Sequence, residues 1–152
     1  MTYVAAEARQ QLLDTLAEAI DALARAPAAL GAAYELLDER AADRLEEELF
    51  RPVQAAYGKA KRAHAGFASR HGLPERAFEP ATPGAASRDV KGAVQAAVEA
   101  VGEADGRLSW LQDSMLPVEV GDPELRAGLA DVRETLGAVP ARARELVRMF
   151  GR

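Results

Sequence analysis

The stretch DPELRAGLADVRETLGAVPARARELVRMF, Asp122 to Phe150, opens on a helix start. Asp122 stands at the N-cap, Pro123 at the first helical position and Glu124 behind it, where acids complement the positive end of a helix. Leu125, Leu129, Val132, Leu136, Val139, Ala143, Leu146 and Phe150 then step alternately by four and three. That is the 3.5-residue period of a heptad seam. Pro140 lies inside the run, but the phase passes through it, which predicts one helix over about 123–150.

Upstream, the same alternation runs through Val90, Val94, Ala97, Val101, Ala104, Leu108, Leu111 and Met115, with Ser87 as a candidate N-cap and Pro117 as the stop. A helix is expected over about 88–116. The connection before it, 72–87 (GLPERAFEPATPGAAS), holds prolines and glycines that forbid a regular element. Phe78 in its middle is expected to pin it to the bundle end.

A second helix over about 41–71 carries Leu45, Leu49, Val53, Ala56, Ala60, Ala63 and Phe67 on one face. The four-plus-four step from Leu45 to Val53 is a stutter, and it falls on Pro52, so a local distortion is predicted there. Gly72 and Pro74 end this helix. The first helix, about 2–37, shows Leu13, Leu16, Ile20, Leu23, Pro27, Leu30, Tyr34 and Leu37 in register. Because the phase survives Pro27, one kinked helix is expected rather than two.

These four helices, on the order of 45 Å long at about 1.5 Å per residue, predict an all-α, antiparallel up-down-up-down four-helix bundle with long helices in a single domain, 1–152. Two helical hairpins that dimerise are the alternative. In the up-down-up-down order the acids around Glu35–Glu48 and Asp113–Glu124 share one end. The cations around Lys59–Lys91 and Arg142–Arg152 share the other, which predicts an electrostatic rod.

Composition narrows the functions. The chain has 152 residues, 49% of them hydrophobic but only 5% aromatic, a net charge of −5 and no cysteine. A large share of alanine favours closely approaching helices. Without cysteine, disulfides and thiolate chemistry are excluded, as a reducing compartment would permit. The acidic balance argues against a nucleic-acid partner. No apolar run is long enough to span a membrane, and Met1–Gln11 lacks the layout of a signal peptide, so a cytoplasmic location is expected.

No catalytic constellation stands out. Ser69, Ser87, Ser109 and Ser114 are in no strand-turn-helix elbow, and the glycines form no phosphate cradle. His64 and His71 share a helical face, but neither has a glutamate three residues before it as a metal site in a bundle would want. Consecutive Glu46–Glu48 point around the helix and cannot converge on one ion. No metal and no cofactor are expected. Tyr34-Glu-Leu-Leu-Asp38 resembles a type VII export signal in its Tyr-x-x-x-Asp spacing, but the Trp-x-Gly turn that accompanies such signals is missing, so no family is assigned.

Two surfaces remain as candidates. Trp110, Met115, Leu116, Val118, Glu119, Val120 and Asp122 form an apolar, acid-rimmed tip suited to a protein partner or to self-association. Lys61, His64, Arg70, His71 and Arg88 form a basic group suited to an anion or small-molecule ligand. Gly102 and Gly106, facing the alanines at 56, 60 and 63, suggest close packing of the second and third helices, or a groove between them. The first reading is a non-catalytic protein-interaction or scaffold module. The second is a carrier of an apolar or anionic ligand held between those two helices, and an enzyme of unknown class comes third.

Overall fold

The computed structural model describes residues 3–82 and 89–150. Among these the chain is helical without a strand, and its long helices pack into an all-α bundle as the seams predict. Helix α1 spans Tyr3–Glu35 and runs unbroken through Pro27. Proline there removes one hydrogen bond at a cost of about 3 kcal/mol. Leu16, Ile20, Leu23 and Leu30 around it are fully buried, and each contributes roughly 1.5–3 kcal/mol, so the packing outweighs the defect. Beyond the proline the seam rotates by one residue. Ala26 and Ala33 face the core, while Tyr34 is exposed.

Asp38 caps α2 (Glu39–Leu45), its carboxylate accepting from the Ala41 N–H at 2.9 Å. A π-helical turn, Glu46–Phe50, leads directly into α3, Arg51–His71. This is the distortion that the stutter predicts. A π turn holds more residues than an α turn, so Leu45, Leu49 and Val53 stay on one face and all three are buried. Gly72 ends α3 at φ 64°, with the Leu73 N–H donating back to the Ala68 carbonyl at 2.8 Å.

Helix α4, Val90–Asp113, is capped by Asp89, which accepts from the Gly92 N–H at 2.7 Å. The expected cap, Ser87, lies outside the described residues, as does Arg88. After a one-turn α5 (Leu116–Val120), α6 runs Pro123–Leu136 and α7 runs Val139–Phe150. The last helix is therefore not continuous. A turn at Gly137–Ala138 divides it, because the Pro140 ring would collide with the Leu136 carbonyl in an unbroken helix. The seam still crosses the break, since Leu136 and Val139 are both buried.

The direction of the third long helix differs from the up-down-up-down expectation. Glu18 pairs with Arg107 at 2.9 Å and Arg25 with Glu103, so α1 and α4 are antiparallel. Lys59 reaches Asp131 at 3.0 Å and Arg70 reaches Asp122 at 2.9 Å, so α3 and α6 are antiparallel too. Arg133 and Asp105, 2.8 Å apart, tie α6 to α4 in the same sense. The order is up-down-down-up, with α3 and α4 parallel on one diagonal and α1 and α6–α7 on the other. The connection after Gly72 climbs the side of the bundle instead of crossing its end. Along this path Arg76 meets Asp21 at 2.9 Å, and Phe78 stacks edge-on against His64, their ring centroids 4.9 Å apart.

Two expectations fall with that reversal. The electrostatic rod does not form, because Lys91, Arg144 and Arg148 come to the same end as Glu46–Glu48, while Arg70 and His71 come to the same end as Asp122 and Glu124. No groove lies between the second and third long helices, since α3 and α4 face each other across the diagonal. A Cβ on Gly102 or Gly106 would meet open space. The close approach is between α3 and α6, where a Cβ on Gly128 would sit 3.5 Å from the Ala63 methyl.

Candidate functional site

At one end of the bundle the chain turns twice in nine residues. The Ser114 hydroxyl donates to the Leu111 carbonyl at 2.7 Å and accepts from the Leu116 N–H at 3.3 Å, closing α4 and starting α5. Gly121, at φ 70°, supplies the left-handed residue that brings the chain round to Asp122. Within α5 the spacing sorts the faces. Leu116 and Val120, four apart, pack on the core against α1, while Val118 and Glu119 point away.

The expected tip thereby divides into three parts. Trp110, Met115 and Val118 keep 55%, 60% and 53% of their surface exposed. Trp110 stands outward because its neighbours Leu108 and Leu111 hold the seam. Leu116 and Val120 serve the core. Asp122 is only 4% exposed and holds the bundle together, so it is no contact residue.

Asp122 also determines what becomes of the expected basic group. Its carboxylate accepts from the Leu125 N–H at 2.9 Å, from Arg70 Nε and Nη2 at 3.0 Å each, and meets His71 Nε2 at 2.9 Å. Burial would raise its pKa, but the Leu125 N–H, His71 and Arg70 outweigh that and hold it below the usual 3.8. Arg70 Nη1 also takes Glu124 at 2.8 Å. Two of the five expected anion-binding residues, Arg70 and His71, are thus already taken by the Asp122 carboxylate.

The others do not converge with them. Lys61 lies over the Tyr57 ring, 4.4 Å from its centroid. His64 is buried beneath Phe78. Desolvation first, and then the nearby Arg76, lower its pKa below 6.5 against the opposing pull of Asp14 and Glu75. Buried and neutral, it is a core residue. Arg88 lies outside the described residues. Among the described residues no group of three or more His, Cys, Asp or Glu is placed to hold a metal ion, and no helix is long and apolar enough to cross a membrane.

Sequence reasoning missed a cleft of about 670 Å³ between α4 and α7. Lys91, Val94 and Val98 line it from α4, and Ala143, Arg144, Val147 and Arg148 from α7. Each set has helical i, i+3, i+4 spacing and is visible in the sequence. That the two faces meet is visible only once the helix directions are known. Tyr57 was also missed. Its hydroxyl is buried without a hydrogen-bond partner, and burial, followed by Asp21 and Glu79, raises its pKa. Comparison of the chain with protein-family models, curated proteins and solved structures finds no match.

Proposed function

We propose that this chain is a non-catalytic, cytoplasmic helical bundle that acts as a protein-interaction or scaffold module through the apolar tip at Trp110, Met115 and Val118. The observation that supports this reading is the exposure of three large apolar side chains at one end, where the core no longer needs them. Tryptophan and methionine are enriched in protein interfaces. The rim is acidic, with Asp113, Glu119 and Glu124 all exposed, and suits a partner that brings apolar side chains flanked by cations. A second copy of the chain offers the apolar half of that complement.

Sedimentation velocity over a hundredfold range of protein concentration tests self-association first. Concentration-dependent dimerisation, weakened at least tenfold by Trp110→Ala, supports a self-associating module. If the wild type stays monomeric, partner capture is carried out with wild type and Trp110→Ala side by side. A partner lost by the variant supports the tip, whereas one held equally by both refutes it. Trp110 is largely exposed, so a folding defect is not expected to confuse the comparison.

The carrier reading loses its original place, because α3 and α4 form no groove. Its surviving form uses the cleft between α4 and α7.

A further inference from the structure

The geometry points to the α4–α7 cleft as a binding site for a single-chain anionic amphiphile, a carboxylate or phosphate headgroup on an alkyl tail. The cleft's volume of about 670 Å³ lies within the roughly 300–1,000 Å³ typical of small-molecule sites. Its floor is apolar. Val94 and Ala143 are buried, and Val98 and Val147 are half-exposed toward the opening. An alkyl chain laid along that floor covers apolar surface now in contact with water.

The charges are arranged along the cleft rather than around it. Helices α4 and α7 run antiparallel, and the cleft is lined over Lys91–Glu99 of the one and Pro140–Arg148 of the other. Lys91 therefore falls near the level of Arg148, Gln95 near Arg144, and Glu99 near Pro140. Cations occupy the end near the start of α4, and the one lining carboxylate, Glu99, occupies the other. Among the described residues Lys91, Arg144 and Arg148 make no ion pair. The other inter-helix arginines differ: Arg25, Arg70, Arg107 and Arg133 are each held by a carboxylate. Two unengaged cations at one end of an apolar cleft and a third midway along it, with an acid at the far end, match a ligand with one anionic head and one neutral tail. They orient the head toward Lys91 and Arg148. A cationic amphiphile would place its charge against three like charges.

The test uses the wild-type chain with decanoate, decyltrimethylammonium and decanol, each below its aggregation concentration, followed by valine-methyl NMR. Decanoate is expected to shift the Val94, Val98 and Val147 methyls saturably and to bind at least tenfold more tightly than decyltrimethylammonium. Lys91→Gln/Arg144→Gln/Arg148→Gln, three exposed positions, should weaken decanoate at least tenfold and leave decanol within threefold. Equal affinity for the three headgroups overturns the proposal, and so do shifts at other valines or no saturation. Binding to phosphatidylglycerol vesicles without binding to monomeric decanoate would identify a membrane surface as the partner instead and equally overturn the cleft. None of these outcomes depends on Trp110, so the interaction tip and the cleft stand or fall separately.

Discussion

Replacing Asp122 with alanine removes an N-cap and the anchor of an ion-paired cluster in one step. Loss of the cap costs about 1 kcal/mol. The bidentate Arg70 contact and the His71 contact are charge-assisted, and such bonds are worth about 1.5–3 kcal/mol when shielded. Here the Arg70 side chain is 33% exposed and keeps Glu124, so solvent screening reduces that contribution to roughly 1–2 kcal/mol. Together Asp122→Ala should destabilise the chain by about 2–3 kcal/mol. That lowers Tm by roughly 4–12 °C for a domain of this size. Asp122→Asn keeps the cap and loses the charge, and should cost about 1–2 kcal/mol. Urea denaturation at pH 7 measures both.

A double-mutant cycle of Arg70→Gln with Asp122→Asn should show a coupling of at least about 1 kcal/mol. The coupling also tests the topology. Were the third helix reversed, these two residues would lie at opposite ends of the bundle, tens of ångströms apart at about 1.5 Å per residue. Zero coupling would refute the antiparallel pairing of α3 with α6, and with it the up-down-down-up order. The sign with pH follows from the lowered carboxyl pKa. The stabilisation is complete above the unfolded-state value near 3.8 and is lost as pH falls through the lower folded value. The gap between wild type and Asp122→Asn should therefore close in strong acid.

His64 titrates in a different window. Its folded pKa lies below 6.5, so stability should be full above pH 6.5 and decline on acidification toward the folded value, by at most about 1.4 kcal/mol per pH unit. Denaturation midpoints at pH 7.5 and 5.5 should show that decline in wild type and a smaller one in His64→Leu; equal declines would mean that His64 is not kept neutral by burial. Gly102→Ala and Gly106→Ala place a methyl in open space on a helix. Each should raise stability by roughly 0.5–1 kcal/mol in thermal melts, and a loss at either would show that something packs against that face.

The heptad seams reported most of the core, because burial depends on which side chains share a face, but failed at Tyr34 and Met115, which are exposed. Leu125, Leu129, Val132, Leu136, Val139, Ala143 and Leu146 are all buried as the spacing requires. The stutter at Leu45–Val53 even marked the π turn. A seam is the same read in either direction, however, so it says nothing about which way α4 runs. The signal that could have spoken was the connecting segment. Its 18 residues, 72–89, reach about 59 Å when extended at roughly 3.3 Å each, enough to climb the whole bundle. The functional surfaces suffered from the same gap. Trp110 and Met115 could be placed from the local sequence alone, whereas the α4–α7 cleft needs two helices brought together. His64 looked like surface because Phe78, which covers it, belongs to the irregular segment.

The crossover also governs how the chain must assemble. Most small helical bundles fold quickly because neighbouring helices are neighbours in sequence. Here α1 with α3 and α4 with α6 form such hairpins, the second tied by Arg133 and Asp105, but the other interfaces join one hairpin to the other. The most extensive interface, α1 with α4, is bridged by an ion pair 89 positions apart, and the clasp of α3 on α6 by one of 52. Closing those loops costs chain entropy before any packing compensates. Refolding should therefore be slower than for a bundle of equal stability whose main interfaces join consecutive helices. The α1–α3 and α4–α6 hairpins are the pairs able to form early, and they dock on each other only after the segment containing Phe78 has been laid along the side of the bundle.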